Sequence, residues 1–275
     1  GSEPDKASAF FEVLLVAVKD KHCRQKALKA LGTVSQAAPA WISECLPSLR
    51  AATRSGDRDV RLSALKTLGE AEWKYYFGDV GSAPDLPSDM ATILDSPCPF
   101  WPDQLVRDTH LLVLIPATVG GVPFTLNQLG ELIKHPKNGG HSTKYRFYGD
   151  LVREQIGEAS PPSSYWLLMT RDILPDSRYK TYDAQKALVA AYASKLGLPY
   201  EMPHALAAVT AILLHHAREG ERLLGDHPWT YTRCQEVLNG YPILVGGFSF
   251  GGPHVSQLSS DYSYPGIGVS CCRQF

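Results

Sequence analysis

One stretch of this chain occurs twice, with its matching residues 37 positions apart. Self-similarity at a fixed period is typical of proteins built from stacked helical units, and such proteins commonly bind other proteins. The Asp, Arg, Ala-Leu and Leu-Gly residues of the two copies fall on one register: Asp20, Arg24, Ala27, Leu28, Leu31 and Gly32, then Asp57, Arg61, Ala64, Leu65, Leu68 and Gly69.

Each copy is predicted to be the second helix of a helical pair. Its Ala and Leu residues recur at helical spacing and form one apolar face. Asp20 and Asp57 stand where an N-cap is needed, because an Asp side chain can accept a free backbone N–H of the first turn. Gly32 and Gly69 are expected near the helix ends. Apolar stretches at 9–18 and 41–52 precede the copies and are predicted to be the first helices.

The second copy resembles a HEAT repeat, and the earlier copy matches the same pattern more weakly. In that family Asp and Arg stack along the solenoid, and Ala and Leu fill its core. The resemblance covers residues 8–75 only and implies either the capping end of a longer array or a segment that packs on the remainder of the chain. The residues that carry it are Asp57, Asp59, Val60, Arg61, Ala64, Leu65, Leu68 and Gly69.

Composition limits the possible partners and compartments. The net charge of −1 argues against a broad surface for nucleic acid or acidic lipid. The apolar run around 205–214 is far shorter than the ~20 residues that span a bilayer, so no membrane insertion is expected. Six cysteines without any Cys-x-x-Cys pair indicate free thiols in an intracellular, cytoplasmic protein, with no metal site and no cofactor.

Residues 78–102 interrupt the helical pattern with closely spaced proline and glycine, and they are predicted to form a linker. Phe100 and Trp101 are expected to dock on a neighbouring element. The predicted organisation is therefore HEAT-like repeats over 1–77, the linker over 78–102 and a third region over 103–275.

The region 103–275 alternates apolar runs with amphipathic segments, which predicts an α+β (or α/β) domain after the all-α segment. Thr181 is the expected cap and Gly197 the expected end of one of its helices. The predicted strands are 110–115, 165–170, 241–245 and 266–271, and the predicted helices are 124–135, 145–156, 182–196 and 203–224.

The richest polar cluster, at 138–146, joins a glycine pair to a predicted helix N-terminus. Free N–H groups and the helix dipole attract anions at such a terminus. A phosphate or carboxylate ligand is one interpretation, and a glycine-rich turn followed by a cap and a solvated helix face is the other. Arg171 and Arg178 follow the strand 165–170, where binding groups collect in open sheets. The candidate ligand-binding residues are Gly140, Ser142, Lys144, Arg146, Arg171 and Arg178.

A second cluster, at 226–234, places a carboxylate, an imidazole and a thiol within nine residues. A thiol activated by an imidazole is the arrangement of a cysteine nucleophile. Cys234 is the candidate nucleophile, with His141 or His227 as base, and His254 is an equally good candidate base. In the alternative interpretation, Thr230 or Thr232 caps a short helix that holds Cys234 in the core.

Two further segments suit contact with a ligand or a partner. The stretch 245–254 places glycine pairs around an aromatic-Ser-aromatic core, which fits a ligand-binding loop or a hairpin. Residues 261–264 form a polar and aromatic loop suited to partner contact. His215 and His216 lie on one predicted helix, one pointing inward and one outward.

Taken together, the repeat and the absence of nucleotide, metal or triad motifs favour a protein–protein interaction or scaffold protein, whose partner is another protein. A thiol-dependent hydrolase or transferase that uses Cys234 is the first alternative. A binding domain for a small anionic ligand at the 138–146 loop is the second.

Overall fold

A computed structural model describes residues 42–275, together with residues 23, 26, 27 and 30. The chain divides into two compact units, residues 1–94 and 95–275. Most of the first repeat copy, 20–32, and the apolar stretch 9–18 lie outside the described residues, so the predictions made for them remain predictions. The boundary between the units falls inside the predicted linker.

The described part of the first unit contains α1 (Ile42–Ala52), α2 (Arg58–Tyr76) and α3 (Met90–Asp95). Helices α1 and α2 contact each other along an apolar core. Apolar residues recur at helical spacing within each helix and therefore point to one side, where the two helices bury them together. Its buried members include Cys45, Leu49, Ala52, Val60, Ala64 and Ala71.

Helix α2 begins as the repeat pattern predicts. The Asp57 carboxylate accepts hydrogen bonds from the backbone N–H groups of Asp59 and Val60, at 3.0 and 3.2 Å. The prediction that Gly69 lies near the helix end is wrong, since α2 continues to Tyr76. Buried Trp73, beyond Gly69, gives the last turns an apolar face of their own.

The second unit is a mixed α+β structure, and its longer strand pairings are antiparallel. Its elements are, in chain order, α4 (Val106–Thr109), β1 (His110–Ile115), β2 (Thr118–Val119), β3 (Val122–Pro123), α5 (Leu126–Leu132), β4 (Phe147–Tyr148), α6 (Asp150–Ile156), β5 (Tyr165–Thr170), α7 (Tyr182–Leu196), α8 (Ala205–Glu219), β6 (Tyr231–Leu238), β7 (Tyr241–Ser249), β8 (Gly252–Gln257), β9 (Ile267–Gly268) and β10 (Cys272–Gln274).

Helix α8 is the centre of this unit. It contacts β1 and β5 of a three-stranded sheet ordered β1–β5–β10, and β6 and β7 of a five-stranded sheet ordered β4–β8–β7–β6–β9. Helix α8 is apolar on nearly all sides, and such a helix must be buried on nearly all sides. Most of its residues are buried in the structure. Strands β2 and β3 form a separate two-stranded ribbon.

Several predicted elements are confirmed at their stated bounds. Strands β1 and β5 span 110–115 and 165–170, and α7 spans 182–196. Thr181 accepts the Ala184 N–H, and Gly197 ends the helix in the left-handed conformation. Phe100 docks as predicted, with its ring centroid 5.2 and 5.0 Å from those of Tyr192 and Tyr200.

Other predicted elements differ from the structure. The helix predicted at 145–156 begins only at Asp150, because the preceding residues pair with β8 as β4. The helix predicted at 203–224 is shorter. The strand predicted at 266–271 is only the two-residue β9 within that range, and β10 follows it at 272–274. Strands β6 and β8 were not predicted.

Strands β6 and β7 form a hairpin whose turn is Asn239-Gly240. Both turn residues have positive φ, 52° and 85°. That pair of angles is the requirement of a type I′ turn, which matches the twist of the flanking strands and favours Asn-Gly. Among the described residues, no helix is long and apolar enough to cross a bilayer.

Candidate functional site

A set of aromatic side chains lies together and partly exposed on the second unit. We define this aromatic surface as Phe147, Trp229, Tyr231, Phe250, Tyr262 and Tyr264. All but Tyr231 are among the exposed large apolar side chains of the protein. The rings of Trp229 and Tyr231 stack 6.2 Å apart, and those of Tyr262 and Tyr264 also stack 6.2 Å apart.

The imidazole of His254 connects the rings that come from different parts of the chain. Its centroid lies 5.9 Å from Phe147, 6.0 Å from Trp229 and 5.9 Å from Tyr231. Burial lowers the pKa of His254, and the Arg146 guanidinium lowers it further. His254 is therefore predominantly neutral at pH 7 and acts here as a ring rather than as a cation.

Arg146 lies across this surface. Its guanidinium carbon is 5.4 Å from the Trp229 ring centroid, within reach of a cation–π interaction. Its Nη1 donates to Ser249 Oγ at 2.9 Å. Ser249 Oγ also accepts the Gly251 N–H, so the hydroxyl ties Arg146 to the end of the β7–β8 hairpin. The guanidinium is held in place while most of its N–H donors remain available.

The β7–β8 hairpin turns through Phe250 and Gly251, which lie between the paired Ser249 and Gly252. Phe250 is 94% exposed at this tip, whereas Phe248 two residues earlier is buried. The Arg222 guanidinium carbon lies 6.0 Å from the Phe250 ring centroid. The segment 245–254 is thus a hairpin, one of the two alternatives for this sequence, and it presents a phenyl ring to solvent.

Two arginines beneath the surface hold the loop that carries Tyr262 and Tyr264. Arg233 is fully buried and donates to the carbonyl oxygens of Ser259, Ser260 and Tyr262. Arg178 donates to the Pro265 carbonyl and to Thr230 Oγ1. Since a buried guanidinium must keep its hydrogen bonds, this loop is fixed to the sheet.

Gly252 allows the 144–146 segment to approach β8. It has a φ of 111°, and a Cβ at this position would lie 1.6 Å from the Lys144 carbonyl oxygen. Only glycine avoids that collision, so the backbone next to Arg146 can lie against the strand.

Backbone N–H groups of the segment 138–146 are not left free to bind an anion as predicted. The backbone N–H groups of Gly140, His141, Thr143 and Arg146 all donate to carbonyl oxygens. Strand β4 separates the loop from α6, so the N-terminus of α6 does not begin at these residues. Lys144 and Arg146 are both exposed, but only Arg146 belongs to the aromatic surface.

The structure does not bring Arg171 and Arg178 together in one site. Arg171 joins the buried His215 and Glu221 at the end of α8: Arg171 Nη2 and His215 Nε2 lie 3.0 and 2.7 Å from Glu221 Oε2. Burial lowers the pKa of His215, and the hydrogen bond from His215 lowers the pKa of Glu221. This cluster fastens the end of α8 to the end of β5.

Cys234 lies within β6, so the short helix predicted around it is wrong. The residue is 0% exposed. Burial raises the pKa of the Cys234 thiol well above the ordinary value, and Glu236 and Cys272 raise it further. A cysteine nucleophile requires an accessible thiol with a depressed pKa, and these surroundings act in the opposite direction.

No described hydrogen bond joins the Cys234 thiol to His141, His227 or His254, and each histidine has other neighbours. His227 is 91% exposed and its Nδ1 lies 2.9 Å from the Asp226 carboxylate. The His141 ring lies 5.9 Å from that of His216. The geometry therefore gives no support to a thiol hydrolase or transferase.

The sequence predicted roles for parts of the aromatic surface but did not indicate that these parts lie together. It marked 261–264 as suited to partner contact and Arg146 as a binding residue, but for a different ligand. It gave no role to Trp229 or Phe147. The available signal was an excess of aromatic residues in segments that also contain glycine, and only the tertiary fold shows that these segments meet.

No family model, no curated protein and no solved structure matches this chain. Within the described ranges, no group of three or more His, Cys, Asp or Glu residues could hold a metal ion.

Proposed function

We propose that this protein is an interaction protein whose second unit binds a partner protein through the aromatic surface. The observation that carries the proposal is Phe250, a phenyl ring that is 94% exposed at a hairpin tip. The next residue of that tip, Gly251, lies against the side chain of Arg146, and Arg146 in turn lies over Trp229. Trp, Tyr and Arg are the residues most enriched in the energetic centres of protein interfaces.

Hydrogen bonds from three arginines hold the aromatic surface in place. Arg178 and Arg233 hold one margin, and the Arg146–Ser249 hydrogen bond holds another. A preorganised surface loses little conformational entropy on binding, which increases affinity for a given contact area.

The test uses short random peptides displayed on phage and selected against the full chain. Peptides selected on the natural sequence should lose about tenfold or more in affinity for a Trp229→Ala, Phe250→Ser double variant, as expected for residues at an interface centre. Binding is measured by biolayer interferometry.

The matched control is Tyr241→Ser. Tyr241 is also an exposed aromatic residue of β7, but it lies at the opposite end of that strand from Ser249. Its replacement should leave affinity unchanged. A selection without enrichment, or peptides that bind the double variant as well as the natural chain, would contradict the proposal.

We propose further that the first unit is a HEAT-like segment. The α1–α2 hairpin, the Asp57 cap and buried Ala64 support this, since each has the place that the repeat pattern gives it. The six free cysteines, five of them buried, support an intracellular location.

A second candidate function is the binding of a small anion in a cleft of about 900 Å³ beside α5. Lys134, Lys144 and Arg153 line it together with Tyr145 and Tyr148. Lys134 and Arg153 form ion pairs with exposed carboxylates, and such pairs are weak enough for a ligand to replace. The volume is in the range of small-molecule sites.

The anion proposal is tested by thermal unfolding in sodium phosphate and in sodium chloride of equal ionic strength. Phosphate should raise the unfolding midpoint, and Lys144→Gln should remove that increase. Lys195→Gln, an exposed change on α7, serves as the control. Equal midpoints in the two salts would contradict this candidate.

A further inference from the structure

The aromatic surface carries two guanidinium groups that form no salt bridge with a described carboxylate. Arg146 lies on Trp229 and Arg222 lies on Phe250. No described carboxylate forms an ion pair with either arginine. Other arginines of the same unit do form such pairs: Arg107 with Asp95, Arg153 with Asp150, and Arg171 with Glu221.

One carboxylate, Asp226, interacts electrostatically with Arg222 without pairing with it. Asp226, whose pKa Arg222 helps to lower, accepts a hydrogen bond from His227 at 2.9 Å. That hydrogen bond is the main cause of the lowered pKa. Asp261 is exposed on the loop beside Tyr262 and is not paired with either arginine. The hairpin tip therefore presents two cations to a partner.

Both cations have planar forks of N–H donors, and a planar fork matches a carboxylate in a bidentate arrangement. Arg146 uses one donor on Ser249 and has the others available. Both guanidinium groups border the tip that carries Phe250: the Arg146 side chain comes within 3.5 Å of the Cβ position at Gly251. An occupant of this surface thus meets one exposed phenyl ring flanked by two arginines.

We propose that the partner segment is an acidic peptide, with an apolar side chain against Phe250 and Trp229 and carboxylates on Arg146 and Arg222. This inference rests on the proposed function and specifies the chemistry of its partner. Single-stranded nucleic acid also combines stacking with anionic groups. The net charge of −1 leaves no broad basic surface for a phosphate backbone, which favours the peptide.

The experiment uses the peptides selected on the full chain. Their consensus should contain Asp or Glu beside a large apolar residue. Replacing those acids by Asn or Gln in a synthetic peptide should weaken binding about tenfold, as expected for charge-assisted hydrogen bonds. This change is made in the peptide and cannot affect the folding of the protein.

On the protein side, Arg146→Gln and Arg222→Gln should each weaken binding of the acidic peptide by a larger factor than binding of its neutralised version. Arg107→Gln is the matched control, because Arg107 is exposed but paired with Asp95. Affinity should also fall as sodium chloride is raised.

The outcomes separate the two levels of proposal. If Trp229→Ala, Phe250→Ser abolishes binding but neutral peptides bind as well as acidic ones, the acidic partner is wrong and the interaction surface stands. If the double variant binds normally, both are wrong. If an oligouridylate competes with the acidic peptide and binds more tightly, the proposed acidic partner is wrong and the surface binds nucleic acid instead.

Discussion

Two clusters in the second unit have the same components and differ in burial. In one, the Phe100 ring lies against His110, Tyr192 and Tyr200, and Arg273 lies over Tyr200 at 5.9 Å. In the other, Phe147, Trp229 and Tyr231 surround His254, and Arg146 lies over Trp229 at 5.4 Å. We call them the buried cluster and the exposed cluster.

The difference shows how one set of side chains can serve stability or recognition. Phe100, His110, Tyr200 and Arg273 are all buried, so their contacts are complete within the fold. In the exposed cluster, Phe147 is 53% and Trp229 36% exposed, and these rings still have apolar area to bury. Substitutions in the buried cluster should therefore lower the free energy of unfolding, and substitutions in the exposed cluster should lower the affinity for a partner.

The largest expected effect is on stability. Phe100→Ala should lower the free energy of unfolding by about 3–5 kcal/mol, because it removes a buried ring and leaves a cavity. Trp229→Ala should cost only about 1 kcal/mol, near the centre of measured point mutations. Urea unfolding of the full chain measures both, and equal losses would remove the distinction between the clusters.

The next effect concerns pH. Burial lowers the pKa of His110 to about 4 from 6.5, and Arg273 contributes. The pKa of His110 is lower in the folded than in the unfolded protein, so folding favours the neutral imidazole. The free energy of unfolding is therefore unaffected by His110 above pH 6.5 and decreases as the pH falls towards 4. The loss is about 3 kcal/mol, from the linkage of pKa to stability.

His110→Gln should flatten that part of the pH profile, measured by urea unfolding at a series of pH values. His135→Gln, a change at an exposed histidine, is the control and should leave the slope as it is. A natural chain that is equally stable at both ends of the range would show that His110 does not titrate as described.

A smaller effect is expected beneath the exposed cluster. Arg178→Met removes the hydrogen bonds to Pro265 and Thr230 and should cost about 1–2 kcal/mol. Amide exchange should accelerate at 259–266 more than in β1 or β5. A uniform acceleration would mean that Arg178 supports the whole unit rather than this loop.

The smallest effect is expected at the hairpin tip. Phe250→Ser should change the free energy of unfolding by less than about 0.5 kcal/mol, because the ring touches little of its own chain. Urea unfolding of the full chain measures this change. A large destabilisation would show that Phe250 belongs to the fold.

The sequence predicted those elements whose signals are local. Strands β1 and β5 are short apolar runs, and α7 has a capping threonine and a terminal glycine. Strand β6 escaped prediction because it contains Thr232, Arg233 and Gln235, which look polar. Their partners are carbonyls and amides of distant segments, such as Ser260 O for Arg233 and Met202 O for Gln235, and no local pattern reveals them.

The candidate site was predicted only in fragments for the same reason. Arg146, Trp229, Phe250 and Tyr264 come from separate segments, and each is an ordinary loop or strand residue by itself. Their meeting depends on the pairing of β4 with β8 and of β6 with β9. Those pairings join residues that are far apart in sequence.

The Asn239-Gly240 turn has a consequence for the order of folding. It joins β6 to β7 through a two-residue loop, so this hairpin can form with very little loop-closure entropy. By contrast, β10 reaches β5 only after the chain closes a loop of about 100 residues. The surface that we expect to meet a partner is thus built on a hairpin that can form early in folding.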